Sequence, residues 1–364
     1  MKFGNMLYSL QDITLIPATV SDISSRSECD PYVENMLPLF TAPMSSVIND
    51  NNWETFHNNK INTIIPRNID LETRLNLCTK TFCAFSLDEF ETHFCVEISS
   101  KMWVLIDVAN GHMEKLLALC KKAKKLNGDN LIIMAGNVAN PQTYIDYAFA
   151  GIDYCRMSIG SGSQCTTANT GIFYPMGSLI INTIKVRYMY QDYNYSEEDE
   201  IPEVIKWPKI VADGGFNTFG DIIKALALGA DYVMLGKVFA KSVEACGPIL
   251  TQIKPMNYDI LKDGPFDEWI RTQKIERIKF LECYREYYGM STKRAQLEFG
   301  KEGNKTEEGI ASAIRIEYSL EDWTQRFTDY LRSAMSYTNA KDLNGFIGKV
   351  EYGILSPTAI RTFK

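Results

Sequence analysis

KIVADGGFNTFGDIIKALALGADYVMLG, Lys209–Gly236, reads as one complete strand–helix–strand unit. Lys209–Asp213 and Asp231–Gly236 are apolar runs of strand length, each ending in residues able to turn or bind. Between them, Asn217–Ala230 sets Ile222, Ile223, Leu226, Ala227 and Ala230 on one helical face. Two apolar strands joined by an amphipathic helix make a parallel βα unit, the building block of a sheet covered by helices.

The same rhythm continues upstream. Leu37–Ala42, Ile61–Pro66, Thr81–Phe85, Met102–Val108, Leu131–Gly136 and Ile152–Met157 are strand candidates, and Met113–Leu126 is one of the amphipathic stretches between them. With the last two, that makes eight strands, the number that closes a barrel. The predicted fold is therefore α/β, a (β/α)8 TIM barrel with a C-terminal extension and an active-site loop, in one domain over residues 1–364. An open, doubly wound sheet is the rival, but no GxGxxG follows an early strand.

Composition narrows the function. A net charge of −7 without a basic block argues against a nucleic-acid partner, whose phosphates need lysines and arginines. A single nucleotide stays open, because one phosphate needs only a nest of backbone N–H groups. The 9 cysteines include no CxxC pair, and their odd number fits reduced thiols in a cytoplasmic setting. The start, MKFGNMLYSLQD, lacks a signal-peptide core, and no apolar run reaches spanning length, so no membrane partner is expected. The 3 histidines, His57, His93 and His112, are too dispersed for a histidine-based metal site.

Two segments break the rhythm. Lys185–Pro208, with its tyrosines and the acidic run Ser196–Glu200, reads as a solvated surface loop. Tyr284–Gly309, polar and glycine-containing, reads as a mobile loop that closes an active site, followed by the tail 310–364.

The chemistry concentrates in three places. MSIGSGSQCTT, Met157–Thr167, follows the sixth candidate strand and so lies on the face where barrel active sites sit. Gly160 and Gly162 allow close backbone approach, Ser161 and Ser163 add hydroxyls, and Cys165 stands on a polar loop where a thiolate can form. An ordinary Gly/Ser turn with an incidental cysteine fits the same residues. Cys155, within the strand, reads as inert packing. VADGGF, Val211–Phe216, ends a strand in Asp213, able to accept from ribose hydroxyls, with Gly214 and Gly215 exposing N–H groups. VMLGKVFA, Val233–Ala240, puts Gly236 at the end of the last strand, where such barrels bind phosphate.

Taken in order, these residues resemble the inosine monophosphate dehydrogenase and guanosine monophosphate reductase superfamily. TAPMSSV (Thr41–Val47), DVANGH (Asp107–His112), AGNVA (Ala135–Ala139), GSGSQCTT (Gly160–Thr167), ADGG, MLG and YYGMS (Tyr287–Ser291) follow the family's sequence of motifs. DVANG resembles the reductase branch. The chain has no room for the regulatory domain that dehydrogenases insert, and Gly289–Glu308 lacks their water-activating Arg-Tyr pair.

The resemblance implies an NADPH-dependent (or NADH-dependent) reductive deamination of GMP to IMP and ammonia. Cys165 would be the nucleophile, with Thr167 and Glu308 as the proton relay for the departing amine. Asp213 would hold the ribose, and Ser163, Gly215 and Gly236 would cradle the phosphate with Gly214 and Lys237 beside them. Met290 and Ser291 would meet the purine edge. Asp107, Ala109 and Asn110 would lie on the cofactor side, although Asp107 also suits a helix cap. Carbonyls of Gly160, Gly162 and Cys165 would bind a monovalent cation such as K+, and the assembly would be a homotetramer.

Departures from the reductase pattern exist. Ala168 and Asn169 stand where a basic residue is usual, Lys305 replaces an arginine, and Glu307 replaces a serine. A deoxynucleotide or modified purine therefore stays open as substrate. So do two other functions, an IMP dehydrogenase producing XMP with NAD and a catalytically silent purine-nucleotide-binding barrel.

Overall fold

Residues with branched and aromatic side chains form eight short strands that pair in parallel around a ring. A computed structural model describes residues 6–162, 167–192, 205–252, 258–260, 283–289, 292 and 311–362. After an N-terminal strand β1 (Ile13–Leu15) come β2 (Leu39–Thr41), β3 (Ile64–Ile65), β4 (Phe82–Phe85), β5 (Met102–Asp107) and β6 (Leu131–Val138). The barrel is completed by β7 (Tyr154–Met157), β8 (Lys209–Asp213) and β9 (Tyr232–Leu235). The 8-stranded sheet has the order β2-β9-β8-β7-β6-β5-β4-β3. A parallel bridge between Phe40 and Asn62 joins its two edges. There Thr41 N–H donates to the Asn62 carbonyl at 2.9 Å, and Asn62 N–H donates to the Leu39 carbonyl at 3.0 Å. The Thr41 hydroxyl accepts from Ile64 N–H at 2.9 Å, taking the place of a ladder carbonyl. All eight predicted strands are present, within a few residues of their expected bounds.

Each barrel strand is followed by a helix: α1 (Trp53–Asn58), α2 (Leu71–Leu77), α3 (Leu87–Phe94), α4 (Glu114–Asn127), α5 (Thr143–Phe149), α6 (Met176–Asp192), α7 (Phe219–Leu228) and α8 (Lys237–Ala240). The period-2 alternation of strand side chains divides the apolar residues into two cores. Phe40, Ile64, Phe82, Leu105, Met134, Val211 and Met234 fill the barrel interior. Their neighbours Val104, Ile106, Ile133, Ile210, Ala212, Val233 and Leu235 pack outward under the helices.

The quoted unit shows the local logic. Thr218 caps α7 by accepting from Asp221 N–H, and Asp221 in turn accepts from Thr218 N–H, a closed capping box. Gly229 ends the helix at φ +122°, and a side chain there would strike Ile184 of α6.

The N-terminal end of the barrel is plugged by rings. Phe82 meets Phe40 edge-on at 5.7 Å and Tyr154 at 5.4 Å, and Tyr232 leans on Phe40 at 5.1 Å. Burial pushes the Tyr154 phenol up to about 12. The plug leaves the C-terminal mouth as the open end.

Two expectations are corrected. Residues 185–192 are not a surface loop but the last two turns of α6. The run LIINTIKVRYMY holds no glycine or proline to stop the helix, and Tyr190 packs edge-on against Trp207 at 6.0 Å and Phe149 at 5.8 Å. The acidic run of the same segment lies outside the described residues. Residues 284–287, expected in a mobile loop, belong to strand β12 (Cys283–Tyr287), paired antiparallel with β10 (Ile249–Gln252) and β13 (Ser312–Arg315). With β11 (Tyr258–Ile260) they form a 4-stranded sheet in the order β11-β10-β12-β13. Arg285 anchors β12 because its buried guanidinium donates to the carbonyls of Ser242 (3.3 Å), Val243 (3.1 Å) and Gly247. Residues 293–309 of the expected loop lie outside the described set.

In the tail, α9 (Leu320–Tyr337) starts on the Ser319 cap and packs Trp323 against Phe219 of α7 and Phe239 of α8, at 5.2 and 5.3 Å. Strand β14 (Tyr352–Ile354) pairs antiparallel with β1. Among the described residues no helix is long and apolar enough to cross a membrane.

Candidate active site

The strand ends at the open mouth surround a cavity of about 500 Å3. Asp107 and Ala109 reach it from the end of β5, and Gly160, Gly162 and Thr167 from the segment after β7. Asp213, Gly214 and Gly215 reach it from β8, and Gly236 and Lys237 from β9 and the start of α8. Ten of the residues singled out in the sequence thus line one space.

Backbone contacts explain why glycine is needed here. Gly214 and Gly215 have φ of +88° and +86°, in the left-handed region that side chains disfavour. A Cβ on Gly214 would stand 2.9 Å from the Gly162 nitrogen, so the loop after β8 lies directly on the loop after β7. Ser161 fastens the two, its hydroxyl donating to the Asp213 carbonyl at 3.0 Å and lying 3.0 Å from the Ser158 hydroxyl. Gly236 does the same on the other side. A Cβ there would stand 2.8 Å from the Tyr287 hydroxyl and 2.9 Å from Met44 Sδ, so β12 approaches the last barrel strand at this point.

At the centre of the mouth lies a buried ionic triad. Arg156, 8% exposed, donates from Nε to Asp213 Oδ2 at 2.8 Å and from NH1 to Asp107 Oδ1 at 2.7 Å. Its NH2 lies 2.8 Å from the same Asp213 oxygen. Among the described residues, the hydrogen bonds of the Asp213 carboxylate fall on Oδ2 and none on Oδ1. Asp107 is no helix cap, because the N-cap of α4 is Met113, which makes no side-chain cap bond.

Asn110, expected on the cofactor side, does not line the cavity. Its Oδ1 accepts from His112 N–H at 3.1 Å and lies 2.8 Å from His112 Nδ1. His112 Nε2 accepts from Ala139 N–H at 3.3 Å, which fixes the neutral ring with its proton on Nδ1, and burial lowers its pKa below the usual histidine value. Ser163, Cys165, Met290, Ser291, Lys305 and Glu308 lie outside the described residues. Cys155 is fully buried in β7, and burial pushes its thiol up, as a packing residue requires.

Sequence reasoning passed over Arg156, Arg67, Asn137 and Tyr287, all in the cavity wall. Arg156 had a signal. An arginine between Cys155 and Met157 in a buried strand needs partners, and two aspartates at strand ends supply them. Asn137 stood inside the quoted motif AGNVA without a role.

The model of an IMP dehydrogenase / GMP reductase domain matches residues 95–258. Over 365 residues the chain is 27% identical to the GMP reductase of Staphylococcus saprophyticus subsp. saprophyticus, covering 96% of this chain and 95% of that protein. It is also 27% identical to the GMP reductases of Staphylococcus carnosus (strain TM300) and Bacillus subtilis (strain 168), covering 96% of both chains in each case.

Proposed function

We propose that the chain, which is similar to the IMP dehydrogenase / GMP reductase superfamily, is an oxidoreductase converting GMP, or a closely related purine nucleotide, to IMP and ammonia with a reduced nicotinamide cofactor. The observation that carries this reading is the single cavity shared by the ends of β5, β7, β8 and β9, with both flanks of the cysteine loop, Gly162 and Thr167, in its wall.

In this reading the Cys165 thiolate attacks carbon 2 of the guanine ring and forms a C–S bond. The 2-amino group takes up a proton, through Thr167 and Glu308, and leaves as ammonia, so that a thioimidate remains. Bound NADPH, or NADH, supplies the hydride for carbon 2. The C–S bond then breaks, its electron pair returns to sulfur, and IMP leaves. Asp213 Oδ1 holds the ribose, while Ser163 and the N–H groups at Gly214, Gly215, Gly236 and Lys237 receive the phosphate. Met290, Ser291 and Lys305 complete the substrate contacts.

The wall fits a nicotinamide. Asn137 Oδ1 is buried without a hydrogen-bond partner among the described residues and belongs to the cavity lining beside Asp107 and Ala109, which suits the amide donor of that ring. For K+, the donors would be carbonyls of Gly160, Gly162 and Cys165, and neutral carbonyls match a large monovalent ion. The working form in this reading is a single barrel unit assembled as a cytoplasmic homotetramer.

The test is the reduced-nicotinamide absorbance of purified protein with NADPH and GMP, dGMP in parallel, and ammonia assayed. Absorbance loss matched by ammonia supports the reading. A rise with IMP and NAD instead would assign the dehydrogenase reaction, and silence in both directions would refute both.

A further inference from the structure

The ionic triad spans more than one binding region. Asp213 ends β8 on the substrate side, Asp107 ends β5 on the cofactor side, and β6 and β7 separate them in the sheet. Arg156, on β7, lies 57 residues from Asp213 and 49 from Asp107 in sequence, yet its guanidinium bonds both carboxylates. The intervening strand permits this through Gly136, where any side chain would collide with the Arg156 backbone and Cβ. Both aspartate side chains are 14% exposed and Arg156 is 10% exposed at its side chain, so water screens the three charges weakly.

We propose that Arg156 is a positioning residue that couples the two ligand subsites, one planar guanidinium holding the ribose-binding Asp213 and the cofactor-side Asp107 in a single arrangement. The proposal rests on the GMP reductase reading and deepens it. Three features support it. The fork of Arg156 uses different edges for the two carboxylates, a geometry that lysine cannot reproduce. The triad has a net charge of −1, so removing Arg156 leaves two carboxylates repelling each other in a poorly hydrated mouth, and both turn away. Asp213 also carries the Ser161 contact to the cysteine loop through its carbonyl, which ties the same unit to the reacting end of the cavity.

The experiment measures GMP binding by calorimetry and NADPH binding by fluorescence, separately, with melting curves to verify folding. Wild type is compared with Asp213→Asn, Asp107→Asn, Arg156→Met and Arg156→Lys. Asp213→Asn is expected to weaken GMP about tenfold or more and NADPH little, and Asp107→Asn the reverse. Arg156→Met is expected to weaken both ligands about tenfold or more, and Arg156→Lys to restore part of each affinity. Where Arg156→Met does not fold, Arg156→Lys carries the comparison, and weakening of both ligands supports the coupling. A merely structural arginine would lower the melting midpoint and leave both affinities of the folded protein unchanged. Wild type that binds neither ligand overturns the functional reading and the proposal with it. Wild type that binds both, with an Arg156 variant that harms at most one, overturns the coupling alone.

Discussion

The two ends of the same barrel are built on opposite principles. At the N-terminal end, Phe40, Phe82, Tyr154 and Tyr232 close the interior with packed rings. At the C-terminal end, β5, β7 and β8 bring Asp107, Arg156 and Asp213, with paired glycines, around an open cavity. One strand, β7, carries both, with Tyr154 in the plug and Arg156 in the triad two residues on. Stability and chemistry are therefore separated along the barrel axis, and a substitution should affect one or the other according to its height.

The strongest break of that contrast is Cys165→Ala. Turnover should fall on the order of 10^4-fold or more, with GMP affinity and melting midpoint almost unchanged, checked by steady-state kinetics and calorimetry. Normal turnover in that variant would refute the covalent mechanism. At the other end, Phe82→Ala should remove about 3–5 kcal/mol of stability in urea unfolding, while kcat/KM of the folded fraction changes less than about threefold. A large kinetic defect there would show that the plug and mouth are not independent.

Gly214→Ala tests whether the mouth depends on its backbone contacts. The φ of +88° and the 2.9 Å approach to Gly162 predict about 1–3 kcal/mol of strain and a tenfold or greater loss of kcat/KM. A fully active Gly214→Ala protein would mean that the two loops need not touch.

The smallest effect concerns His112. Burial holds its folded pKa below the usual histidine value of about 6.5, so the unfolded chain binds more protons below that pH. Stability should be fully present above pH 6.5 and decline as pH falls through the folded value. The slope seen in urea unfolding below pH 6.5 should flatten in His112→Gln.

The barrel was legible because strands buried on both faces form continuous apolar runs that differ sharply from the helices between them. Asp213 and the glycines of the mouth were legible because turns after strands use a small set of residue types. Arg156 was not, since its meaning depends on carboxylates 49 and 57 residues away, and a local reading sees only a charge interrupting a strand. The end of α6 was missed for a different reason. Its aromatics pack on Trp207 from a helix with apolar residues on several sides, so no periodic stripe marks it. Strand β12 pairs with β10, more than thirty residues upstream, and no short window contains both.

The antiparallel contact of β1 with β14 joins Ile13 to Ile354 and Leu15 to Tyr352, extended by Leu355 N–H donating to the Asp12 carbonyl at 2.8 Å. The first and last parts of the described chain are thereby side by side on the outside of the barrel. Such adjacency makes the molecule suited to circular permutation. A short linker across these strands, with the chain reopened in an exposed connection on the plugged side, should give a reordered protein with an undisturbed mouth. The fold would then be a ring whose break point is a matter of choice.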